Sequence, residues 1–259
     1  MDLGILGRKA IVCASSQGLG RACAEALAAE GVSVVINGRD RERLERTAGE
    51  MKSATGGDIT IAVADLTTQE GRETLIGACA EPDILVTNNA GPAPGGIDQV
   101  TDSSLDLALQ MHYFAPIALV RSVLPGMRSR RFGRIVNITS AMVTTPHPLM
   151  LASTGARAGL TAVMKAISQQ VAVDNVTINN ILPERMDSPR QVQMANLVMA
   201  QRKITFEEAW KQQADSIAAK RHGKPSELGA TCAFLCSEHA SYISGMNVHL
   251  DGGSYPGLV

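Results

Sequence analysis

The sequence predicts an α/β fold of the Rossmann type: one doubly wound, seven-stranded parallel sheet with helices on both faces. Three observations carry this. Seven short runs rich in Val and Ile recur along the 259 residues. Helical apolar spacing fills most of the stretches between them. Several of the runs also lack polar alternation, which is how strands buried on both faces read. Such strand–helix alternation, joined by right-handed crossovers, builds a parallel sheet covered on both sides.

In chain order, the expected strands are Ala10–Cys13, Val32–Ile36, Ile59–Val63, Ile84–Thr87, Arg134–Ile138, Thr177–Leu182 and Asn247–Leu250. The expected helices are Leu19–Ala29, Arg41–Lys52, Gln69–Ala80, Ser104–Met127, Ser153–Val173 and Glu227–Ser237. Residues 188–220 break the pattern. They hold two helical stretches, Gln191–Gln201 and Phe206–Ala219, with no strand between. The first is rich in Met and Gln. An insertion beside the carboxyl ends of strands is where a substrate lid sits. No linker, repeat or low-complexity tract divides the chain, so residues 1–259 are expected to form a single domain.

Composition narrows the function. A hydrophobic share of 45% and a charged share of 19% are ordinary for a soluble globular protein. With 24 basic against 25 acidic side chains, nothing favours a nucleic-acid or membrane partner. The densest basic run, Arg128-Ser-Arg-Arg131, reads as a solvated helix end. Cys13, Cys23, Cys79, Cys232 and Cys236 form no Cys-x-x-Cys pair and no His/Cys cluster of zinc spacing, so no metal is expected. Cys232 and Cys236 belong instead to a buried apolar helix. No signal peptide is indicated, and no apolar run approaches the ~20 residues of a membrane helix. A reducing, cytoplasmic setting is expected.

The first strand feeds the turn Ala14–Gly20. Gly18 and Gly20 allow close backbone approach to a pyrophosphate, and the following helix offers free N–H groups and a positive dipole end. The second strand ends Ile36-Asn37-Gly38-Arg39. An acidic tip would bind a ribose 2′-OH, whereas neutral Asn37 followed by Arg39 suits a 2′-phosphate, which favours NADP(H) over NAD(H). Ser15 and Ser16 offer hydroxyls to the same phosphate. Asp40 reads as the N-cap of the next helix.

The run Ala10-Ile-Val-Cys-Ala-Ser-Ser-Gln-Gly-Leu-Gly20, with Asn88-Asn-Ala-Gly91 and Asn137-Ile-Thr-Ser140, resembles the short-chain dehydrogenase/reductase family, 3-oxoacyl-carrier-protein reductases in particular. The resemblance spans roughly the whole chain, through Leu182-Pro183, Gly223-Lys-Pro-Ser-Glu-Leu228, Tyr242-Ile-Ser-Gly245 and Asp251-Gly-Gly253. It implies that Gln17 and Leu19 join the cofactor turn and that Asp65 and Leu66 meet the adenine. It further implies that Asn88 braces the central strand, that Ala90 and Gly91 lie along the cofactor ribose, and that Pro183 and Ser188 flank the nicotinamide. Cys13 and Ala14 depart from the family's Thr-Gly, and Glu184 from its glycine. A small-molecule substrate and a homotetramer or homodimer, formed through Ser104–Met127 and Ser153–Val173, are also implied.

The catalytic half is where the resemblance breaks. The family carries a tyrosine thirteen residues after the serine and a lysine four further on, and here those places hold Ser153 and Arg157. The family's relay asparagine aligns with His112. The catalytic candidates are therefore Ser140, Ser153, Arg157, His112 and His147. Arg157 supplies charge and ribose hydrogen bonds but cannot deprotonate. His112 is the expected proton donor because histidine titrates near neutral pH. His147 lies in the loop that lines the family's substrate pocket. Tyr113 reads as a packing residue. The expected function is an NADP(H)-dependent oxidoreductase of a carbonyl or alcohol, 3-oxoacyl-like by resemblance, with a remodelled acid/base site. The alternatives are an NADP(H)-binding sensor without chemistry, and a reductase of an imine or activated alkene.

Overall fold

Ile11 and its neighbours Ala10 and Val12 point to opposite faces of one sheet and are buried in two different apolar clusters. That two-sided burial is why the run shows no polar alternation. The computed structural model describes residues 1–258. Its strands are β1 (Lys9–Val12), β2 (Ser33–Gly38), β3 (Ile59–Val63), β4 (Ile84–Thr87), β5 (Gly133–Ile138), β6 (Val176–Pro183) and β7 (Asn247–Leu250). All pair in parallel in the order β3-β2-β1-β4-β5-β6-β7. The order reverses between β1 and β4, which places a crevice at their carboxyl ends.

The helices are α1 (Gly18–Ala29), α2 (Arg41–Thr55), α3 (Gln69–Gly77), α4 (Asp102–Leu109), α5 (Ala115–Ser129), α6 (Leu151–Val171), α7 (Pro189–Arg202), α8 (Phe206–Asp215) and α9 (Pro225–Cys236). Asp40 caps α2 by accepting from Arg43 N–H, as its position suggested. α1 and α9 cross tightly: a Cβ at Gly229 would stand 2.5 Å from the Ala22 carbonyl oxygen. Cys23, Cys232 and Cys236 are fully buried in that contact. The basic run after α5 is spent on ion pairs, with Arg128 and Arg131 on Asp174 and Arg130 on Glu81 and Asp83.

The helix expected over Ser104–Met127 is broken. Between α4 and α5 the chain makes a π turn, Gln110–Phe114. Pro116 gives the reason: it has no N–H to return to the carbonyl of His112, and its ring crowds that oxygen, so the ladder widens there. From Asp102 to Ser129 the stretch is long and apolar enough to cross a membrane, contrary to the sequence expectation. In the fold it buries Ala108, Ala115, Leu119, Val120, Val123 and Met127 against its neighbours.

A ladder of side chains crosses the sheet under the crevice. Thr87 Oγ1 donates to Asn137 Oδ1 (2.7 Å), Asn137 Nδ2 to Asn180 Oδ1 (3.0 Å), and Asn180 Nδ2 to Asn247 Oδ1 (2.8 Å). These residues are register partners on β4, β5, β6 and β7. The ladder satisfies polar groups within the buried sheet and fixes the strand ends that carry the site.

The segment that carries α7 and α8 leaves the sheet after β6 and returns at Gly223, where Asp187 N–H donates to the Gly223 carbonyl (2.8 Å). Gln191 Nε2 on α7 donates to Gln213 Oε1 on α8 (2.6 Å), a buried bond that ties the two helices together. Trp210 stacks between Phe206 and His222, at centroid distances of 5.7 and 4.0 Å.

Candidate active site

A cleft of 1080 Å³ opens over the carboxyl ends of β1, β2, β4, β5 and β6, roofed by α7. At its floor, Gly20 has no room for a side chain. A Cβ there would lie 2.4 Å from the Ala14 carbonyl oxygen and 2.9 Å from Asn88 Nδ2. Asn88 Nδ2 donates to that same carbonyl (3.3 Å), tying the β4 loop to the β1 loop across the switch point. Ala14 holds the left-handed φ of 45° that glycine would adopt freely. Gln17 gives α1 no side-chain cap, so its first N–H groups are left for an anion.

The phosphate-side predictions divide. Ser16, Gln17, Gly18 and Leu19 line the cleft as expected. Ser15 does not: it is fully buried, its Oγ donates to the Val12 carbonyl (2.6 Å) and accepts from Asn37 N–H (2.9 Å). Asn37 lines the cleft as expected, and its amide also braces the strand ends. Its Nδ2 donates to the carbonyls of Ala62 and Ala64 and its Oδ1 accepts from Ala14 N–H, which uses its amide in the fold. Arg39 stands exposed at the rim, 3.8 Å from Asp65 Oδ2. Thr67 N–H and Oγ1 both donate to Asp65 Oδ1, and these bonds hold its carboxyl below the usual range. Leu66 forms the apolar wall there. Arg43, in the first turn of α2, also lines this end; only its distance from the strand tip hid it in the sequence.

The floor, the uncapped helix and the basic rim fit a dinucleotide with a 2′-phosphate. Ala90, Gly91, Pro183 and Ser188 line the middle of the cleft. Ser188 also caps α7 by accepting from Gln191 N–H (3.3 Å), which leaves its own hydroxyl proton to donate.

At the far end Ser140, Ser153 and Arg157 converge. Ser140 Oγ accepts from Met142 N–H at the start of a short 3₁₀ turn. Arg157 Nη1 donates to the carbonyls of Ile138 (2.8 Å) and Thr139 (3.0 Å), and Nε to Ser153 Oγ (3.2 Å). Burial pulls the guanidinium down to about 10, so it stays charged at neutral pH. Among the described residues its Nη2 has no hydrogen-bond partner. Met111, Met142, Met150 and Met194 make the apolar walls of this end.

Neither histidine behaves as the sequence suggested. His112 is buried in the π turn and is not on the cleft surface. Burial, with Arg157 and then Arg190 beside it, pushes its imidazole down to about 2. It is therefore neutral throughout the physiological range and does not titrate near neutral pH. His147 is exposed outside the cleft, its Nδ1 accepting from Leu149 N–H (3.2 Å). No tyrosine lines the cleft among the described residues. Tyr113 packs on Gly159, as a core residue would. Among the described residues no cluster of His, Cys, Asp or Glu is arranged to hold a metal ion.

Residues 13–255 match the family model described as enoyl-(acyl carrier protein) reductase. The chain belongs to the short-chain dehydrogenase/reductase family. It is 31% identical to the NADPH-dependent reductase BacG of Bacillus subtilis, over 95% of this chain and 97% of that one. It is 30% identical to nodulation protein G of Rhizobium sp. strain N33, over 96% and 97%. Among solved structures it superposes on the L-sorbose reductase of Gluconobacter frateurii, in complex with NADPH and L-sorbose, with a TM-score of 0.94 at 30% identity, covering 100% of both chains.

Two arginines of the roof were not read from the sequence. Arg190 on α7 donates from Nη2 to the Pro92 carbonyl (2.8 Å) and from Nη1 to Gln193 Oε1 (2.8 Å), and its guanidinium carbon lies 3.3 Å from where a Cβ on Gly91 would be. Arg185 lines the same end, with φ of 48°. No motif marked them: Arg185 lies in the irregular stretch after the strand-end proline, and Arg190 in the first turn of α7.

Proposed function

We propose that this chain is an NADP(H)-dependent oxidoreductase that transfers hydride to or from a small molecule held under α7, with Ser140, Ser153 and Arg157 managing the charge that forms. The observation that carries this is the convergence of those three side chains at one end of the dinucleotide cleft, with Arg157 Nη2 left over. The NADPH dependence of the related BacG and the NADPH bound to the related sorbose reductase support the choice of cofactor.

When bound, the nicotinamide supplies or accepts the hydride. Gly18, Leu19 and Gly20 would hold the diphosphate through backbone N–H groups, and Arg39 and Arg43 the 2′-phosphate. Negative charge growing on a substrate oxygen meets the Ser140 and Ser153 hydroxyls and the Arg157 cation. Preorganised donors of this kind stabilise a transition state more than a ground state. Arg157 orients Ser153 by donating to its oxygen, which turns the serine proton outward toward the cleft.

A carbonyl or alcohol, 3-oxoacyl-like, is the first substrate class. A second reading, reduction of an activated alkene or imine, is favoured by one observation: His112 is pinned neutral and off the cleft surface, and His147 lies outside it. Such a substrate needs charge stabilisation more than a strong acid. Transfer of deuterium from NADPH labelled at nicotinamide C4 into a metabolite extract, read by mass spectrometry, tests both. A labelled alcohol supports the first, a labelled saturated product or amine the second. Absence of label, with NADPH binding verified in the same sample, would point to the sensor alternative.

A further inference from the structure

Two cationic side chains, the buried Arg157 and the half-buried Arg190, line the cleft, as does the carboxylate of Glu184. Neither Arg157 nor Arg190 has a carboxylate within ion-pair distance among the described residues, while ion pairs occupy many of the surface arginines. Arg157 is 8% exposed. The two repel each other, which together with burial lowers the affinity of Arg157 for its proton. An unpaired buried cation is costly, and proteins pair such groups or saturate them with hydrogen bonds.

Arg134 shows what a saturated structural arginine looks like in this fold. It also has no acid partner, yet Nε donates to Ser237 O, Nη1 to Gly133 O and Asn175 O, and Nη2 to Asn175 Oδ1. Its guanidinium also lies 4.3 Å from the Phe132 ring centroid. Arg157 and Arg190 stop short of this. Among the described residues neither Nη2 of Arg157 nor Nε of Arg190 has an acceptor, and both residues line the cleft.

Resting on the oxidoreductase reading above, we infer that the substrate carries a carboxylate close to the reacting carbon and that Arg157 and Arg190 clamp it. Two anions reach this region, the substrate's own and the cofactor diphosphate. The position of α7 separates them. Pro189 faces the diphosphate turn, its Cδ lying 3.6 Å from a Cβ placed on Gly18. Arg190, one residue on, turns away from that turn to Gly91 and Pro92 in the middle of the cleft, where its charge bears on His112 and Arg157. The Nη1 of Arg157 is fixed on the carbonyls next to Ser140. A carboxylate bound there places the adjacent carbons within reach of Ser140 and Ser153. Its arrival would also replace the Arg190 contact to Pro92 with a charge-assisted bond, which is the stronger of the two. Arg190 is thus a specificity residue carried by α7.

The test uses the full chain saturated with NADP⁺ and follows the fluorescence of Trp210, the only tryptophan, which sits on α8. The probes are acetoacetate, hexanoate and benzoate, each beside its methyl ester. At least one acid is expected to bind ten times or more tighter than its ester. Arg190→Met should erase that preference, Arg190→Lys should restore part of it, and NADP⁺ affinity should change less than twofold in either variant. The NADP⁺ titration also reports that each variant is folded. Equal binding of acids and esters, or no binding of any acid in the millimolar range, would overturn the clamp. So would a tenfold loss of NADP⁺ affinity in Arg190→Met with the acid preference intact, which would assign the arginine to the diphosphate. Failure of the wild-type protein to bind NADP⁺ at all would instead remove the underlying oxidoreductase reading.

Discussion

Arg157 Nε donates to Ser153 Oγ at 3.2 Å across one turn of α6, so the two residues form one unit facing the cleft. The same guanidinium is bolted to the end of β5 through Ile138 O and Thr139 O. Serine alone is a weak acid and a mobile rotor. Fixed by a cation that is itself fixed by the sheet, it becomes a donor of set direction. The register ladder Thr87–Asn137–Asn180–Asn247 holds the strand ends beneath it, so the precision of the site begins in the sheet.

Arg157→Lys tests this unit. A lysine has one nitrogen on a flexible stem and cannot span Ser153 and two carbonyls. kcat/KM with the substrate identified by deuterium transfer should fall at least about tenfold, the worth of one charge-assisted bond. Urea unfolding should show a loss of about 1–3 kcal/mol, because a buried carbonyl loses its donor. A variant unchanged in both would mean that the fork geometry is irrelevant.

Ala14→Gly should make the protein more stable. Ala14 sits at φ 45°, where a Cβ costs about 1–2 kcal/mol. Glycine relieves that strain and gives back about 0.4–1 kcal/mol through the freer unfolded chain. The expected net gain is roughly 0.5–1 kcal/mol, seen as a higher denaturant midpoint with an unchanged slope. A lower midpoint would show that the alanine methyl is packed favourably.

The fold was legible because its signals are local. Burial on both faces removes polar alternation from each strand, and Gly20, Asp40 and Asn88 sit where turn and cap chemistry places them. The break in the long helix was equally present, in Pro116, but its effect is on a carbonyl four residues earlier. The site was half legible. Ser16, Gly18 and Ser140 follow from strand ends, and Ser153 and Arg157 from their spacing after Ser140 in the family resemblance. Ser15 misled because a polar side chain at a strand tip serves a ligand or a neighbouring backbone equally well. His112 misled because its proton affinity is set first by burial in the π turn and then by Arg157 and Arg190, all of them tertiary facts. Arg190 was invisible because it acts from a helix whose placement over Gly91 is a tertiary fact.

Cofactor preference should reside in the rim. Arg39 and Arg43 line the cleft end beside Asp65 and Leu66. Replacing either with leucine removes a cation from the 2′-phosphate but leaves Gly20, Asn88 and the α1 terminus intact. NADPH affinity is expected to fall about tenfold for each, by loss of one phosphate contact, with NADH affinity nearly constant. Parallel fluorescence titrations with the two cofactors measure it. Equal losses for NADPH and NADH would place the arginines on the diphosphate or adenine instead.

Acid sensitivity should trace to His112. In the unfolded chain the imidazole takes up a proton near its ordinary 6.5, whereas in the fold it does so only at about 2. The unfolded state therefore binds more protons at every pH between these values, and stability falls as pH falls, by about 1.4 kcal/mol per unit. From pH 6.5 to 5 the loss from this one group is about 2 kcal/mol. The loss is absent above pH 7, where both states are neutral. His112→Asn keeps a polar side chain in the π turn and removes the titration. Urea unfolding at pH 7, 6 and 5 should give a flatter pH dependence for the variant, whatever its stability at pH 7. His222, also held below its ordinary value by burial, contributes equally to both proteins and cancels from the difference. Parallel pH curves would mean that His112 is already protonated in the fold, and with it that Arg157 and Arg190 do not face it as unpaired cations.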